Sequence, residues 1–375
     1  MECPHIPLIK YGDFSKRLHD KVANQRLPIT GSIEVTARCN LRCAHCYINL
    51  PVGDREAQNS ELSHQEWCHV LDQIVDEGCL WLLLTGGEPF IRPDFLDIYT
   101  YAKKKGLLIT LFTNGTTVTP RIADYLAEWR PFVVEITLYG RTQEIYERVT
   151  GIPGSYARCM KGIELLLERK VPLKLKSAIL TLNQHEVWDM KAFAEGLGVE
   201  FRFDPVLNVR LDGSHQPTAF RISPQEIVDF DLADQKRMKE WREFCEKFWG
   251  PPPKPEYLYQ CGAGISTFHI DPFGKLSVCE MSRVPSYDLR QGTFHEGWYD
   301  FMPQVLAQKW SQNTPCKTCD LISLCGQCPG WAQMENGNQE TPVEYLCQIA
   351  HLRARELGLK TKDPSSGEAG LKVAA

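Results

Sequence analysis

Short apolar segments alternate with amphipathic segments through the first half of the chain. Apolar runs of this length, set between polar segments, are typical of strands buried in a parallel sheet. The predicted strands are 33–37, 80–85, 107–112, 132–138, 173–180 and 199–203. Helices are predicted between them, near 93–105, 120–129, 156–169 and 186–196.

One more helix is predicted to begin after Ser63, because Glu66 follows three residues later as in a capping box. Strands that alternate with helices in this way predict an α/β fold, a partial (β/α)6 TIM-like barrel with six units instead of eight. The chemistry of such barrels lies at the carboxyl ends of the strands. The residues that follow each strand are therefore the candidates for function.

A polar, proline-containing stretch follows the predicted barrel. A helix is predicted there from Ser223, with Pro224 and Glu226 in its first turn, to about Trp249. The proline run that follows cannot continue a helix and is typical of a stiff linker. The predicted parts are a lead-in at 1–30, a barrel at 31–215, a connector at 216–258, a cysteine-rich domain at 259–352 and a disordered tail at 353–375.

Composition narrows the class of protein. The net charge of -5 and the lack of any run of lysine and arginine argue against nucleic-acid binding. No apolar stretch is long enough to span a membrane and no signal peptide is evident, so a soluble, cytoplasmic protein is expected. In an unsecreted chain, 15 cysteines indicate metal or redox chemistry before disulfides.

Cys39, Cys43 and Cys46 form a C-x3-C-x2-C motif directly after the first predicted strand. Three thiols leave one iron of a [4Fe–4S] cluster open to a small molecule. A structural zinc site closes with four ligands, and a thioredoxin-like motif uses two thiols. The alternative is three unrelated core cysteines, which have no physical reason to lie so close together.

Three further motifs follow the next predicted strands. They are Gly86-Gly87-Glu88-Pro89, Thr113-Asn114-Gly115 and Tyr139-Gly140. Each by itself is typical of an ordinary turn. Together with the cysteines, however, they are predicted to line one rim of the barrel.

The cysteine motif, with His45 before its last cysteine and Tyr47 after it, resembles the signature of the radical S-adenosylmethionine (SAM) superfamily. The resemblance implies a [4Fe–4S] cluster held by Cys39, Cys43 and Cys46, with SAM bound to the open iron. It also implies reductive cleavage of SAM to a 5′-deoxyadenosyl radical that abstracts hydrogen. In such enzymes the protein supplies orientation and exclusion of water.

The resemblance also implies contacts to SAM. Glu88 and the glycines before it would bind the methionine amino group, Asn114 would lie near the ribose, and Arg148 would pair with the carboxylate. A solvated helix-surface arginine is the alternative for Arg148. The cofactor-binding residues implied are Tyr47, Gly86, Gly87, Glu88, Pro89, Asn114, Thr137 and Arg148.

Seven cysteines lie in the C-terminal part: Cys261, Cys279, Cys316, Cys319, Cys325, Cys328 and Cys347. The first two flank a predicted hairpin at 267–278, and the next four follow C-x2-C-x5-C-x2-C. A zinc ribbon needs a longer separation between its pairs, and disulfides are unusual in the cytoplasm. Closely spaced thiols with distant partners favour iron–sulfur ligation.

This run resembles the SPASM domain, which carries two auxiliary [4Fe–4S] clusters, except that its last gap is two residues instead of three. The resemblance assigns the first auxiliary cluster to Cys261, Cys279 and Cys328, and the second to Cys316, Cys319, Cys325 and Cys347. Pro255 stands where some members have a fourth ligand for the first cluster. The expectations are an open iron there or, as a spare ligand, Cys245.

Glu280 follows Cys279 directly, where the sulfatase-maturing members have an aspartate that is a candidate base. A catalytic role as proton acceptor is predicted for Glu280. A solvated loop carboxylate is the alternative.

The resemblance implies an enzyme that modifies a ribosomally made peptide oxidatively, for example by forming a crosslink. Sulfatase maturation and a step in haem or quinone-cofactor synthesis are alternatives with the same radical chemistry, and a non-catalytic iron–sulfur or zinc protein is a remote one. The expected partners are a peptide substrate, a separate leader-peptide recognition protein and a flavodoxin- or ferredoxin-type reductant, without nucleic acid or membrane.

Overall fold

The computed structural model describes residues 9–22, 25–48 and 50–359. Its strands are β1 (Thr30–Glu34), β2 (Arg38–Cys39), β3 (Leu50–Pro51), β4 (Trp81–Thr85), β5 (Leu108–Thr113), β6 (Val133–Thr137), β7 (Leu173–Ala178), β8 (Glu200–Asp204), β9 (Thr267–Ile270), β10 (Lys275–Ser277) and β11 (Tyr287–Asp288).

Its helices are α1 (Tyr11–Val22), α2 (Arg55–Ser60), α3 (His64–Asp76), α4 (Phe95–Lys104), α5 (Pro120–Glu128), α6 (Gln143–Thr150), α7 (Ser155–Glu168), α8 (Val187–Gly196), α9 (Pro224–Ala233), α10 (Gln235–Phe248), α11 (Phe294–Glu296), α12 (Met302–Leu306), α13 (Ile322–Cys325), α14 (Pro329–Asn336) and α15 (Glu344–Glu356). In the described residues, no helix is both long and apolar enough to span a membrane.

The centre of the fold is a parallel sheet in which β1, β4, β5, β6, β7 and β8 lie side by side in chain order. Every neighbouring pair among these strands is parallel. They correspond to the predicted strands, except that β1 begins and ends three residues before the predicted 33–37. The helices between them are confirmed, including the capping box of Ser63 and Glu66. The α/β partial barrel is therefore confirmed.

The barrel does not close. Within the part of the chain that the structure describes, β8 pairs only with β7, and the other edge of β1 is taken by β9 from the C-terminal part. The sheet continues through the antiparallel strands β10 and β11. The predicted hairpin is thus confirmed, and its turn places Gly274 at φ +83, a conformation that favours glycine.

One apolar core runs through the barrel and the C-terminal part. Phe268 of β9 lies against Gly31 of β1, where an added Cβ atom would collide with its ring, and it also contacts Phe294 and Trp298 at ring-centroid distances of 4.8 and 6.2 Å. The cysteine-rich part is consequently anchored to the barrel by both hydrogen bonds and apolar packing.

Two expectations are wrong. The predicted helix from Ser223 to Trp249 is two helices, because Asp234 ends α9 and its side chain accepts hydrogen bonds from the amides of Lys236 and Arg237 at the start of α10. The disordered tail cannot start at 353, because α15 continues to Glu356. The remainder of the predicted tail, 360–375, lies outside the described residues.

Candidate active site at the strand ends

A cavity of about 400 Å³ lies at the carboxyl ends of the parallel strands. Of the residues predicted to be functional, it is lined by Cys39, Cys43, Cys46, Tyr47, Gly86, Gly87, Asn114, Thr137 and Glu280. The rim predicted from the strand ends is thus assembled in space. Glu280 reaches it from the cysteine-rich part.

The loop that carries the three cysteines is held at both ends. Its base is closed by the pairing of β2 with β3. Farther along, the amides of Arg42 and Ala44 donate to the carbonyls of Thr150 and Val149 at 2.9 and 3.0 Å. The end of α6 therefore fixes the loop where it turns toward the cavity.

Gly86 and Gly87 let this loop pack directly on the strand ends. A Cβ atom on Gly86 would lie 2.4 Å from the Thr36 carbonyl oxygen, and one on Gly87 would lie 2.1 Å from that of Arg38. The amide of Gly87 donates to Thr36 at 2.8 Å. The close approach that requires glycine is therefore to the segment before Cys39, and not only to a ligand as predicted.

A buried ion pair supports the same segment. The Arg38 guanidinium donates from Nε and Nη2 to the two carboxylate oxygens of Glu61 at 3.1 and 2.9 Å. Thr36 adds a hydrogen bond to Glu61 at 2.6 Å. A two-point contact of this kind fixes geometry as well as charge.

The three thiols lie close enough to influence each other. Burial, followed by the charges of Glu88 and Cys46, raises the pKa of Cys39 to about 12. Burial and the charges of Cys46 and Cys39 likewise raise the pKa of Cys43. Thiols that oppose each other's ionisation in a buried site become thiolates when a cation compensates their charge. The donor set therefore fits iron.

Two side chains of the rim hydrogen-bond these sulfurs. The Tyr139 hydroxyl donates to Cys43, and Nδ2 of Asn114 lies 3.7 Å from Sγ of Cys39. Asn114 also donates to Asn40 at 2.9 Å. Such contacts to a ligating sulfur tune the metal that it holds. Tyr139 was predicted only as part of the rim, so its contact with Cys43 was not predicted.

His45 leaves a polar atom without a partner beside the cavity. Its Nδ1 atom is buried and has no hydrogen-bond partner in the described residues. Burial lowers the pKa of His45 to about 4, so the ring is neutral. A buried nitrogen of this kind is normally satisfied. A polar ligand in the cavity, such as SAM, would satisfy it.

Three residues predicted to bind SAM lie outside the cavity lining. The Glu88 carboxylate is fully buried and accepts hydrogen bonds from the hydroxyl of Thr113 and the amide of Asn114, so it orients the neighbouring strand end. Pro89 is buried in the turn that follows. Arg148 is exposed on α6 and does not line the cavity.

Two cations in the cavity were not predicted. Lys176 of β7 and Arg202 of β8 line it, and both lie near Glu135, at 4.0 and 2.6 Å. Burial lowers the pKa of Lys176, although Glu135 acts in the opposite direction. Both residues could have been found in the sequence, because each is a charged residue within a strand that was predicted to be buried.

Glu280 lines the cavity, and its residue is exposed to solvent there. Its pKa is raised, first by burial and then by the nearby charge of Glu34, while Arg283 and Lys176 act in the opposite direction. A carboxyl with a raised pKa beside a reaction site is suited to hold a proton.

Comparisons with known proteins agree with this geometry. The family model described as the Radical SAM superfamily matches residues 33–195. The chain is 32% identical to the AdoMet-dependent heme synthase of Methanosarcina barkeri, over 81% of this chain and 92% of that protein. The chain belongs to the radical SAM superfamily. It is a radical SAM enzyme, and SAM and a [4Fe–4S] cluster are its family's cofactors.

Other relatives of this radical SAM enzyme include SPASM-type peptide maturases. It is 26% identical to the antilisterial bacteriocin subtilosin biosynthesis protein AlbA of Bacillus subtilis, over 80% of this chain and 67% of that protein. Its fold resembles that of Streptococcus suis SuiB in complex with the precursor peptide SuiA. That match has a TM-score of 0.66 and 16% identity, over 93% of this chain and 84% of SuiB.

The C-terminal thiols of the radical SAM enzyme fall into two groups. In the first, Cys261, Cys279 and Cys328 influence one another electrostatically. In the second, Cys347 is the common neighbour of Cys316, Cys319 and Cys325. These are the sets that the SPASM resemblance implies. No group of three or more His, Cys, Asp or Glu side chains in the described part of the chain is placed to hold a single metal ion.

The spare thiol Cys245 does not join the first group. It is buried on α10, and the charge that acts on it is that of Arg353. Tyr259 lies closer, since all three thiols of the first group raise the pKa of its phenol in addition to burial. The expectation that Cys245 serves as a fourth ligand is therefore not supported by its position.

Proposed function

We propose that this radical SAM enzyme oxidatively modifies a ribosomally made peptide, by a crosslink or by another side-chain or backbone change. The observation that carries the proposal is the open barrel. Among the described strands, β8 has no second neighbour in the sheet, yet its residues Arg202, Phe203 and Asp204 line the same cavity as the cysteines. An extended peptide can approach such an open side and present one side chain.

Within this proposal Cys39, Cys43 and Cys46 hold the radical SAM cluster, and the two C-terminal thiol groups hold auxiliary clusters. When bound, SAM and the reduced cluster would supply hydrogen-abstracting radical chemistry at this site, and an auxiliary cluster would supply an acceptor for the electron that the peptide loses. A flavodoxin- or ferredoxin-type protein in the cytoplasm would supply the reducing electron.

The chain's own residues bind, orient and move protons. Tyr139 and Asn114 orient the thiolates of Cys43 and Cys39. Glu280, at the junction of the barrel and the cysteine-rich part, accepts the proton that the peptide loses as its bond forms. The balance is then complete: the peptide loses one hydrogen atom, one proton and one electron.

The names of two relatives support a peptide substrate, namely the bacteriocin biosynthesis protein and the maturase seen with its precursor peptide. A second candidate is a carboxylated tetrapyrrole. It is favoured by the haem synthase relative and by Lys176 and Arg202, cations that suit propionate groups.

The test uses the reconstituted, reduced enzyme with SAM and either the short peptides encoded beside its gene or an iron porphyrin that carries propionates. The proposal predicts 5′-deoxyadenosine together with a peptide that has lost two hydrogens. Turnover of the porphyrin alone would overturn the peptide proposal and favour the second candidate.

A further inference from the structure

A buried ion pair joins the barrel to the cysteine-rich part beside the cavity. Glu34, at the carboxyl end of β1, is fully buried. Arg283, which lies 249 residues later in the chain, donates from Nη1 and Nη2 to its two carboxylate oxygens at 2.9 and 2.7 Å. This is the two-point geometry that fixes orientation as well as distance.

Each partner also holds a residue of the candidate active site. On the barrel side, the hydroxyl of Tyr47, next to Cys46, donates to Glu34 at 3.2 Å. On the other side, Nε of Arg283 donates to the backbone carbonyl of Glu280 at 2.8 Å. One chain of hydrogen bonds thus connects the loop of the radical SAM cysteines with the segment Cys279–Glu280.

Arg283 balances the negative charge of Glu34 in this chain of hydrogen bonds. Burial would raise the pKa of Glu34, but Arg283, then His269 and Tyr47, hold it below its usual value. His269 lies 3.9 Å from Glu34, but its ring is neutral near pH 7, because burial lowers its pKa to about 4. Arg283 is therefore the cation that keeps Glu34 ionised.

Stability alone is a weak reason for such a pair, because buried ion pairs are often no better than apolar side chains of similar size. Specification of one geometry is the better-attested use. The geometry that this pair specifies is the placement of Glu280 and Cys279 relative to the radical SAM cysteines.

We propose that the pair of Glu34 and Arg283 positions the Cys279–Glu280 segment against the radical SAM site, so that radical formation leads to oxidation of the substrate and not to wasted SAM cleavage. The part of this inference that concerns the product rests on the proposed function. Glu34 and Arg283 are positioning residues, since neither lines the cavity.

The test compares Arg283→Lys and Arg283→Met with matched changes at Arg290. Arg290 also links the two parts of the enzyme, through Nε to Glu66 at 2.8 Å and through its other two nitrogens to the carbonyls of Ser60 and Glu61. It does so near the surface and does not line the cavity. Arg290→Lys and Arg290→Met therefore control for the loss of an ordinary link between the two parts.

For Arg283→Met we expect unchanged iron content and unchanged SAM cleavage without substrate. The ratio of 5′-deoxyadenosine to modified peptide should rise about tenfold or more, the effect of a lost charged hydrogen bond. Arg283→Lys should retain part of the coupling, because lysine keeps the charge but not the two-point contact. The Arg290 variants should match the wild type.

A second measurement needs no peptide. Pulsed electron paramagnetic resonance on the reduced, loaded enzyme measures the magnetic interaction between the radical SAM cluster and the first auxiliary cluster. The proposal predicts a changed interaction in both Arg283 variants and none in the Arg290 variants. If the Arg283 variants change only the melting temperature, the positioning role is overturned. If no peptide is modified even by the wild type, the proposed function fails, while the resonance measurement still decides the positioning role.

Discussion

The three thiols of the barrel and the seven of the C-terminal part are held in different ways. The barrel thiols lie on a loop that is packed against strand ends through Gly86 and Gly87. Most of the C-terminal thiols lie on turns and short helices, such as the four-residue α13 that ends in Cys325, and Cys261 is exposed, whereas Cys347 lies on the 13-residue α15. We therefore expect the protein backbone to shape the first site, and the proposed C-terminal sites to depend more on the metal that they would hold.

The largest effect that tests this difference is the loss of the clusters. Because metal binding supplies folding free energy where the site is not preformed, residues 316–347 should lose most of their protection from hydrogen exchange when iron is removed. Strands β1, β4 and β5 should keep theirs. Hydrogen exchange with mass spectrometry on loaded and cluster-free enzyme measures both, and equal loss in the two regions would contradict the comparison.

The next effect concerns the packing of the barrel loop. Gly87→Ala places a Cβ atom 2.1 Å from the Arg38 carbonyl oxygen, so we expect a loss of about 1–3 kcal/mol in the free energy of unfolding. The control is Gly196→Ala at the end of α8, where no atom lies within 4 Å of a new Cβ. This control should be neutral or stabilising. Urea denaturation measures both, and similar values for the two variants would be evidence against the packing argument.

A smaller effect separates the rim residues that line the cavity from those that do not. Asn114→Ala removes the contacts to Asn40 and Cys39, and we expect the affinity for SAM to fall about tenfold. Arg148→Ala should leave this affinity unchanged, because Arg148 is exposed on α6. Calorimetry on the loaded enzyme decides. A strong effect of Arg148→Ala would restore its predicted role as the carboxylate partner.

The smallest effect is at the surface link between the two parts. Arg290, with the capping contacts of Ser63, lowers the pKa of Glu66 to about 2. A carboxyl with a lowered pKa stabilises the fold above its unfolded pKa of about 4.5, and this contribution is lost as the pH falls toward 2. Since the pair is solvent-exposed, we expect Glu66→Gln to cost about 0.5–1 kcal/mol at pH 7 and nothing near pH 2.

Glu226 provides the matched control for that measurement. It forms the same capping box with Ser223 at the start of α9. Its pKa is lowered only by Ser223 and Gln184, without an arginine partner. Glu226→Gln should therefore have a smaller effect, as followed by urea denaturation between pH 2 and pH 7. An equal effect would assign the stabilisation to the cap alone.

The sequence predicted the parts that depend on local pattern. Buried strands, the capping boxes of Ser63 and Ser223, and the positions of the cysteines after β1 all have local signals, and the structure confirms the strands and caps. The break between α9 and α10 also had a local signal that was missed, because Asp234, a residue type that caps helices, lies within the predicted long helix. Long-range partners had no signal, because Glu34 and Arg283 meet only through the pairing of β1 with β9.

The side-chain directions of two residues predicted to bind SAM lacked a sequence signal for a similar reason. Glu88 follows the expected motif, but the fold turns its carboxylate toward Thr113 and Asn114. Arg148 has the expected spacing, but the face of α6 on which it lies is exposed. Motif spacing fixes the position of a residue along an element, and packing decides which way its side chain points.

The measurement that tests the central claim most directly is iron and sulfide counting after anaerobic reconstitution. It compares the wild type with a Cys39→Ala, Cys43→Ala and Cys46→Ala triple variant, and both are assayed for SAM cleavage on reduction. If the chain holds three [4Fe–4S] clusters, we expect about 12 iron atoms per chain in the wild type and about 8 in the variant, with SAM cleavage abolished in the variant. About 4 iron atoms in the wild type would remove the auxiliary clusters, and SAM cleavage that survives in the variant would contradict the assignment of the barrel thiols.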